Sequence, residues 1–354
     1  MGLLSNLLKS VKVTSSAPNV LGIDIGSSSI KVVELEEKEG VLTLVTYGEI
    51  QLGPYAEQAL GAVVQLAPKQ EQEALVDVIR ESAVKAREAV FAMPLSASFI
   101  STATLDVAAE ADLSAQVRVE ARKIIPASLS EVTLDWAELE QIPGKNGRPV
   151  LIAAIQNTAI ERLNVLMQFV GFGDSPTEIE CFSTNRTVSS NGQSIVMDFG
   201  ASSAKMYISQ EGVLNRMHRI NVGGNHITQK FSELQETDFE EAELKKIQLT
   251  KESPEYESLK GVYSKVYGRA LREFRQVIDH YQSAHDVKIN TIHVCGGASL
   301  YAGLGTMIHE SVGISIEPIN PFTHVAYPAF MEDAMKEIAP SFVPALGAAL
   351  RYFE

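Results

Sequence analysis

Asn19-Val20-Leu21-Gly22-Ile23-Asp24-Ile25-Gly26-Ser27-Ser28-Ser29-Ile30-Lys31 reads as an apolar strand ending on a carboxylate, a Gly/Ser turn and the start of a second strand. Half a chain later the theme returns. Ser194-Ile195-Val196-Met197-Asp198 is again an apolar strand closed by Asp, and Phe199-Gly200-Ala201-Ser202-Ser203 follows it. Each turn can aim backbone N–H groups and hydroxyls at an anion, and glycine permits close approach. Asp24 and Asp198 then stand where a metal-bound water can be held between the turns. That suits Mg²⁺, which keeps several waters and takes few direct carboxylates. Lys31 adds a point charge for a phosphate. One D-x-G before serines is common in strand connections and says little alone; two at matching places say more. A third element, Ile292-His293-Val294-Cys295-Gly296-Gly297-Ala298-Ser299-Leu300, lies between a strand and a helix, and its paired glycines let a planar ring lie against the backbone.

Outward from these three elements the chain alternates strands and helices. Strands are expected at Ile30–Leu35 and Val41–Ile50, a helix over Glu71–Val90 through Leu75, Val78, Ile79 and Ala83, and a strand at Val90–Met93. A compact α/β insert comes next: strand Ser98–Leu105, helix Leu113–Ile124, and two strands, Thr133–Gln141 and Val150–Ile155, joined as a hairpin around Pro143–Gly147. A helix over Ala159–Val170 and a strand over Thr177–Glu180 lead to a turn at Asn191-Gly192. Helices dominate from Ile227 to Tyr281, and the stripe Leu271, Phe274, Ile278, Tyr281 reads as core. The last helix expected is Ser341–Tyr352.

Composition narrows the function. At 354 residues the chain suits two packed domains. A formal net charge of −14 argues against nucleic acid as a partner, since phosphate backbones need a basic surface. Cys181 and Cys295 are far apart and lack metal-ligand spacing, and His218, His226, His280, His285 and His293, among the seven histidines, are scattered; neither set reads as a metal site or disulfide framework. No apolar run is long enough to span a bilayer, and the reading is cytoplasmic. In MGLLSNLLKSVK, Leu3, Leu4, Leu7, Leu8 and Val11 recur at helical spacing beside Lys9 and Lys12. That short amphipathic segment either docks on its own protein or stays unordered, or it touches a membrane or partner.

The three elements, in this order, resemble the actin, Hsp70 and sugar kinase superfamily. Within it the chain resembles, across nearly its whole length, the PilM family of type IV pilus assembly proteins. The carrying segments are Leu21 to Leu35, Glu120-Ala121-Arg122-Lys123-Ile124-Ile125-Pro126 with Leu134-Asp135-Trp136, Val222-Gly223-Gly224-Asn225-His226-Ile227-Thr228, and Ala345-Leu346-Gly347-Ala348-Ala349-Leu350-Arg351. The resemblance implies an α/β, actin-like (ribonuclease H-like) two-domain ATPase fold whose insert is an FtsA-type 1C subdomain. The expected division is an N-terminal segment and linker at 1–18, domain 1A at 19–90, 158–192 and 321–354, subdomain 1C at 91–157, domain 2A at 193–224 and 286–320, and subdomain 2B at 225–285.

The resemblance further implies that Asp24, Gly26, Ser27, Ser28, Ser29 and Lys31 form a first phosphate loop and Asp198, Gly200, Ala201, Ser202 and Ser203 a second. Gly223, Gly224 and Asn225 would approach the nucleotide, Glu243 and Lys246 would flank ribose and adenine, and Gly296, Gly297 and Ala298 would back the adenine. By spacing alone, Glu243 and Lys246 read equally well as a solvated helix pair. Glu180 is the one candidate for placing an attacking water, its plainer reading being a helix-terminal carboxylate. The implied cofactors are ATP and Mg²⁺. The implied partners are the cytoplasmic tail of a PilN-like inner-membrane protein, held between 1A and 1C, the pilus motor ATPases, and further copies of the chain. The alternatives are an FtsA-like division filament, disfavoured because the final residues Arg351-Tyr352-Phe353-Glu354 are not an amphipathic membrane helix, and a small-molecule kinase, which needs a general base that is not evident. Ala204 stands where the superfamily commonly has a hydroxyl residue. The purified chain alone is therefore expected to release phosphate from ATP far more slowly than the enzyme median of ~10 s⁻¹, as measured by a steady-state phosphate assay.

Overall fold

The computed structural model describes residues 19–107, 112–139, 141, 146–188 and 191–354. The N-terminal amphipathic segment at 1–18 and positions 143–145 of the expected hairpin turn lie outside the described residues.

The first half runs β1 (Asn19–Ile25), β2 (Ser29–Lys38), β3 (Val41–Gln51), α1 (Pro68–Glu81) and β4 (Glu88–Met93). The insert follows as β5 (Ser98–Leu105), α2 (Leu113–Ile124), β6 (Val132–Glu138) and β7 (Arg148–Gln156). The chain returns through α3 (Asn157–Phe169), β8 (Thr177–Ile179) and α4 (Glu180–Arg186). The second half is β9 (Gln193–Phe199), β10 (Ala204–Gln210), β11 (Val213–Ile220), α5 (Gly224–Gln235), α6 (Phe239–Gln248), α7 (Tyr256–His285), β12 (Thr291–Cys295), α8 (Leu304–Val312) and β13 (Ser315–Pro318). Helices α9 (Glu332–Ile338) and α10 (Val343–Leu350) close the chain.

Two five-stranded sheets repeat one topology. The first has the order β3-β2-β1-β4-β8 and the second β11-β10-β9-β12-β13. In each, the opening hairpin pairs antiparallel and the two later strands join parallel. Central strands of such sheets are covered on both faces, which is why β1 and β9 read as continuous apolar runs. Leu21 and Ile23 pack with α1, whereas Val20 meets Ala348 and Tyr352 at the end of the chain. The sheets also share a seam, because Val196, Tyr207 and Cys295 of the second belong to the core of the first. The stripe Leu271, Phe274, Ile278, Tyr281 is buried in the second core, as expected.

The insert forms a separate antiparallel sheet, β5-β7-β6. Alternation along β7 serves two cores at once: Val150, Ile152 and Ala154 pack under α2, while Leu151, Ala153 and Ile155 face Leu163 and Leu166 of α3. Among the expected boundaries that shift, two bear on the route to the site. The helix expected to reach Val90 stops at Glu81, because Ala83 takes a left-handed turn (φ 51°) that carries the chain into β4. The strand expected to include Glu180 ends at Ile179, and Glu180 opens α4. No helix of the described residues is long and apolar enough to cross a membrane.

Gly22 marks where α10 lies against β1. A Cβ there would stand 1.9 Å from the Ala345 carbonyl oxygen and 2.6 Å from the Ala349 nitrogen. Gly22→Ala is therefore expected to destabilise by about 1–3 kcal/mol through overpacking. Gly261→Ala, on the exposed middle of α7 with open space around it, should stabilise by about 0.5–1 kcal/mol. Urea denaturation of both variants tests the contrast.

Candidate functional site

The two strand–turn–strand units are built alike to the atom. Gly26 N donates to Ser29 O at 3.0 Å, and Gly200 N donates to Ser203 O at 3.0 Å. Across the first hairpin Asp24 pairs in register with Lys31; across the second Asp198 pairs with Lys205. Both units are thus D-x-G-x-S-S-x-K. The sequence reading stopped the second at Ser203 and missed Lys205, although the Asp-to-Lys offset is the same in each. The turns meet tip to tip, Ser27 Oγ donating to Ser202 Oγ at 3.0 Å.

They open on one cleft of ≈ 390 Å³ between the halves. Both turns with Lys31, and Glu180, Gly224, Asn225, Glu243, Lys246, Gly296, Gly297 and Ala298, line it. Gly223 does not; it caps α5 and donates its N–H to His226 Nδ1. The next two N–H groups of α5, from Gly224 and Asn225, are spent on Gly200 O and Ala201 O, and so hold the second turn in place. Gly296 has φ 86°, and a Cβ would come within 2.5 Å of Asp198 Oδ1, so β12 can end against that carboxylate only as glycine. A Cβ on Gly297 meets nothing within 4 Å.

Charge in the cleft is organised around Lys205. Its Nζ lies 2.7 Å from Glu180 Oε2 and 3.0 Å from Asp198 Oδ2, and all three residues are buried. Burial alone would depress this ammonium, but Asp198 and Glu180 outweigh it and hold the charge. Glu180 Oε1 accepts from Leu95 N at 2.6 Å, so each of its oxygens already has one partner within the protein. Lys31 is bound by Ser29 Oγ at 2.6 Å and Glu49 at 2.9 Å. Asp24 is raised to about 7, first by burial and then by the Glu180 charge.

The residues around Asp24 and Asp198 do not fit the expected Mg²⁺. Lys205 takes the Asp198 oxygen that a metal-bound water needs. Among the described residues no group of three His, Cys, Asp or Glu is placed to hold a metal ion.

Glu243 and Lys246 are not a solvated pair. Both are buried, 2.5 Å apart, and Lys246 Nζ also donates to Thr228 Oγ1 at 2.7 Å and lies 4.5 Å from the centre of the Tyr301 ring. Thr228 donates to Glu243 in turn. Tyr301 lines the cleft and was missed by the sequence reading, where its only signal was its place just after the Gly296-Gly297 element. Behind the first turn lies a second, mainly apolar cavity of ≈ 280 Å³, walled by Leu52, Leu66, Met93, Ala97, Leu163 and Leu166. Arg162 and Glu71, paired through two hydrogen bonds of 2.7 and 2.5 Å, stand at its side. Ile25, Gly26 and Ser27 line both this cavity and the cleft.

The family model described as type IV pilus assembly protein PilM matches residues 22–353. A chain of the PilM-PilN type IV pilus biogenesis complex is 22% identical, covering 95% of this chain and 98% of that one at a TM-score of 0.78. The ethanolamine utilization protein EutJ from Carboxydothermus hydrogenoformans is 16% identical over 98% of this chain and 96% of that one, TM-score 0.54. MreB 5 of Spiroplasma citri, bound to AMPPNP, is 10% identical over 94% and 95%, TM-score 0.54. The fold is actin-like.

The Asp24 shift sets a pH dependence. Its carboxyl moves from 3.8 unfolded to about 7 folded, so the folded chain keeps a proton that the unfolded chain releases. That contribution is complete below the lower value and is lost as pH rises through the upper. Asp24→Asn should flatten this limb, gaining Tm over the parent most near pH ~8 and least near pH ~4, as thermal unfolding across that range will show.

Proposed function

The chain belongs to the PilM family of type IV pilus assembly proteins, and on that premise we propose that it is an ATP-binding scaffold at the inner face of the inner membrane. In this reading it holds the cytoplasmic tail of a PilN-like membrane protein and links it to the pilus motor ATPases. The observation that carries the nucleotide reading is the pair of D-x-G-x-S-S-x-K turns facing each other across one cleft, with Gly296 and Gly297 at its floor. The turn amides and hydroxyls take the phosphates, Glu243, Lys246 and Tyr301 border the ribose and base, and Gly297 leaves room for the base. The analogue bound by the MreB of similar fold supports this reading.

For the tail, the support is the apolar cavity bounded by the end of β4, the loop after β3 and α3, at the threshold of the insert, which a short amphipathic peptide fits. We assign the sheet β5-β7-β6 with α2 to the 1C subdomain, and keep the domain limits given above as part of the proposal. The motor contact rests on family membership, and so does self-association.

Calorimetric titration tests both sites. ATP should bind the parent and raise its Tm by linkage. Gly297→Val, which fills the floor, should weaken ATP at least about tenfold with the fold intact by circular dichroism. Ala97→Trp, which fills the apolar cavity, should weaken a PilN-type tail peptide by about tenfold or more and leave ATP affinity unchanged. No ATP binding, or peptide binding indifferent to Ala97→Trp, overturns the corresponding half of the proposal.

A further inference from the structure

We propose that Lys205 is a resident cation standing in the divalent ion's place, so that this chain holds nucleotide phosphate without a metal ion. The inference rests on the nucleotide reading of the cleft and deepens it.

Glu180 and Asp198, both lining the cleft, bring four carboxylate oxygens to the place of a hydrated metal, and three of them already accept a hydrogen bond. Glu180 Oε1 takes the Leu95 N–H at 2.6 Å and Glu180 Oε2 takes Lys205 at 2.7 Å. Asp198 Oδ2 takes Lys205 at 3.0 Å, and Asp198 Oδ1 is pressed against Gly296, where even a Cβ would come to 2.5 Å. Of the two carboxylates that close the central strands, Asp24 is left without a lysine bonded to it. One carboxylate beside a fixed ammonium holds the waters of a divalent ion poorly, because the ammonium repels the ion's charge.

The ammonium is tethered. It rises from β10 directly opposite Asp198 in the ladder, is buried, and is pinned by two charge-assisted bonds. Its counterpart in the first unit differs, because Lys31 is balanced by Glu49 of its own sheet. A second cation points the same way. Arg219 sits opposite Lys205 on β11, lines the same cleft, and has a buried Nε with no hydrogen-bond partner. A buried unpaired donor on a cation is the kind of group an anion completes. Lys205 and Arg219 together supply, from one strand pair, the positive charge a metal brings to a polyphosphate.

ATP affinity of the full chain is measured by calorimetry in EDTA and in Mg²⁺ for the parent, Lys205→Met and Lys205→Arg. The parent should differ between the two media by about threefold or less. Lys205→Met should lose about tenfold or more in EDTA and recover in Mg²⁺, while Lys205→Arg stays indifferent to the metal. A parent that loses more than about tenfold in EDTA overturns the resident-cation inference while the nucleotide reading stands. So does Lys205→Met that binds equally well in EDTA. Absence of binding in both media overturns the nucleotide reading and this inference with it. Should Lys205→Met fail to fold, the parent and Lys205→Arg in the two media decide.

Discussion

A buried ammonium is tolerable only where carboxylates meet it, and around Lys205 they come from two separate stretches that a third braces. Asp198 ends β9, Glu180 opens α4, and Glu180 in turn receives the N–H of Leu95 at the threshold of the insert. One charge therefore ties the second sheet to the helix that connects the halves, and through it to the base of the small subdomain. Removing a single partner from such a cluster strands a charge in low dielectric, at a typical cost of about 3–5 kcal/mol. The interdomain geometry inherits its definition from this contact more than from the apolar seam, which is non-directional.

Around that pin the two halves are arranged as variations on one sheet order. They diverge in what was added: three helices beside β11 in the second half, a three-stranded sheet after β4 in the first. The additions do not stay on their own sides. Val63 N donates to Asn225 Oδ1 at 3.1 Å, and Gly61 lies so close to Glu243 that a Cβ would come to 2.6 Å from it. The loop after β3 is thus fastened to helices of the other half, beside the buried Glu243–Lys246 pair.

Most of the frame was legible in residue order. Apolar runs closed by Asp and broken by glycine determine both hairpins, since a covered central strand and a tight turn leave few other readings. The Leu271–Tyr281 stripe was core by its period alone. What escaped depended on partners distant in sequence. Glu243 and Lys246 have the spacing of any exposed helix pair, and only Thr228 and Tyr301, brought in by the fold, bury them. Lys205 escaped because attention went to the hydroxyls of the turn, whereas its meaning lies in the ladder, opposite Asp198. The early end of α1 carried no glycine signal, for Ala83 itself adopts the left-handed conformation.

Ile25, Gly26 and Ser27, together with Pro94 and Ser96, are a wall held in common, with the polar cleft on one side and the apolar cavity on the other. Compartments that share a wall cannot be furnished independently. An occupant that presses the wall from the cavity takes space from the cleft, and an occupant that braces it from the cleft fixes the shape offered to the cavity. Whatever free energy the second tenant gains or loses from the first, the first gains or loses equally from the second, and no messenger residue or long-range path is needed to carry it.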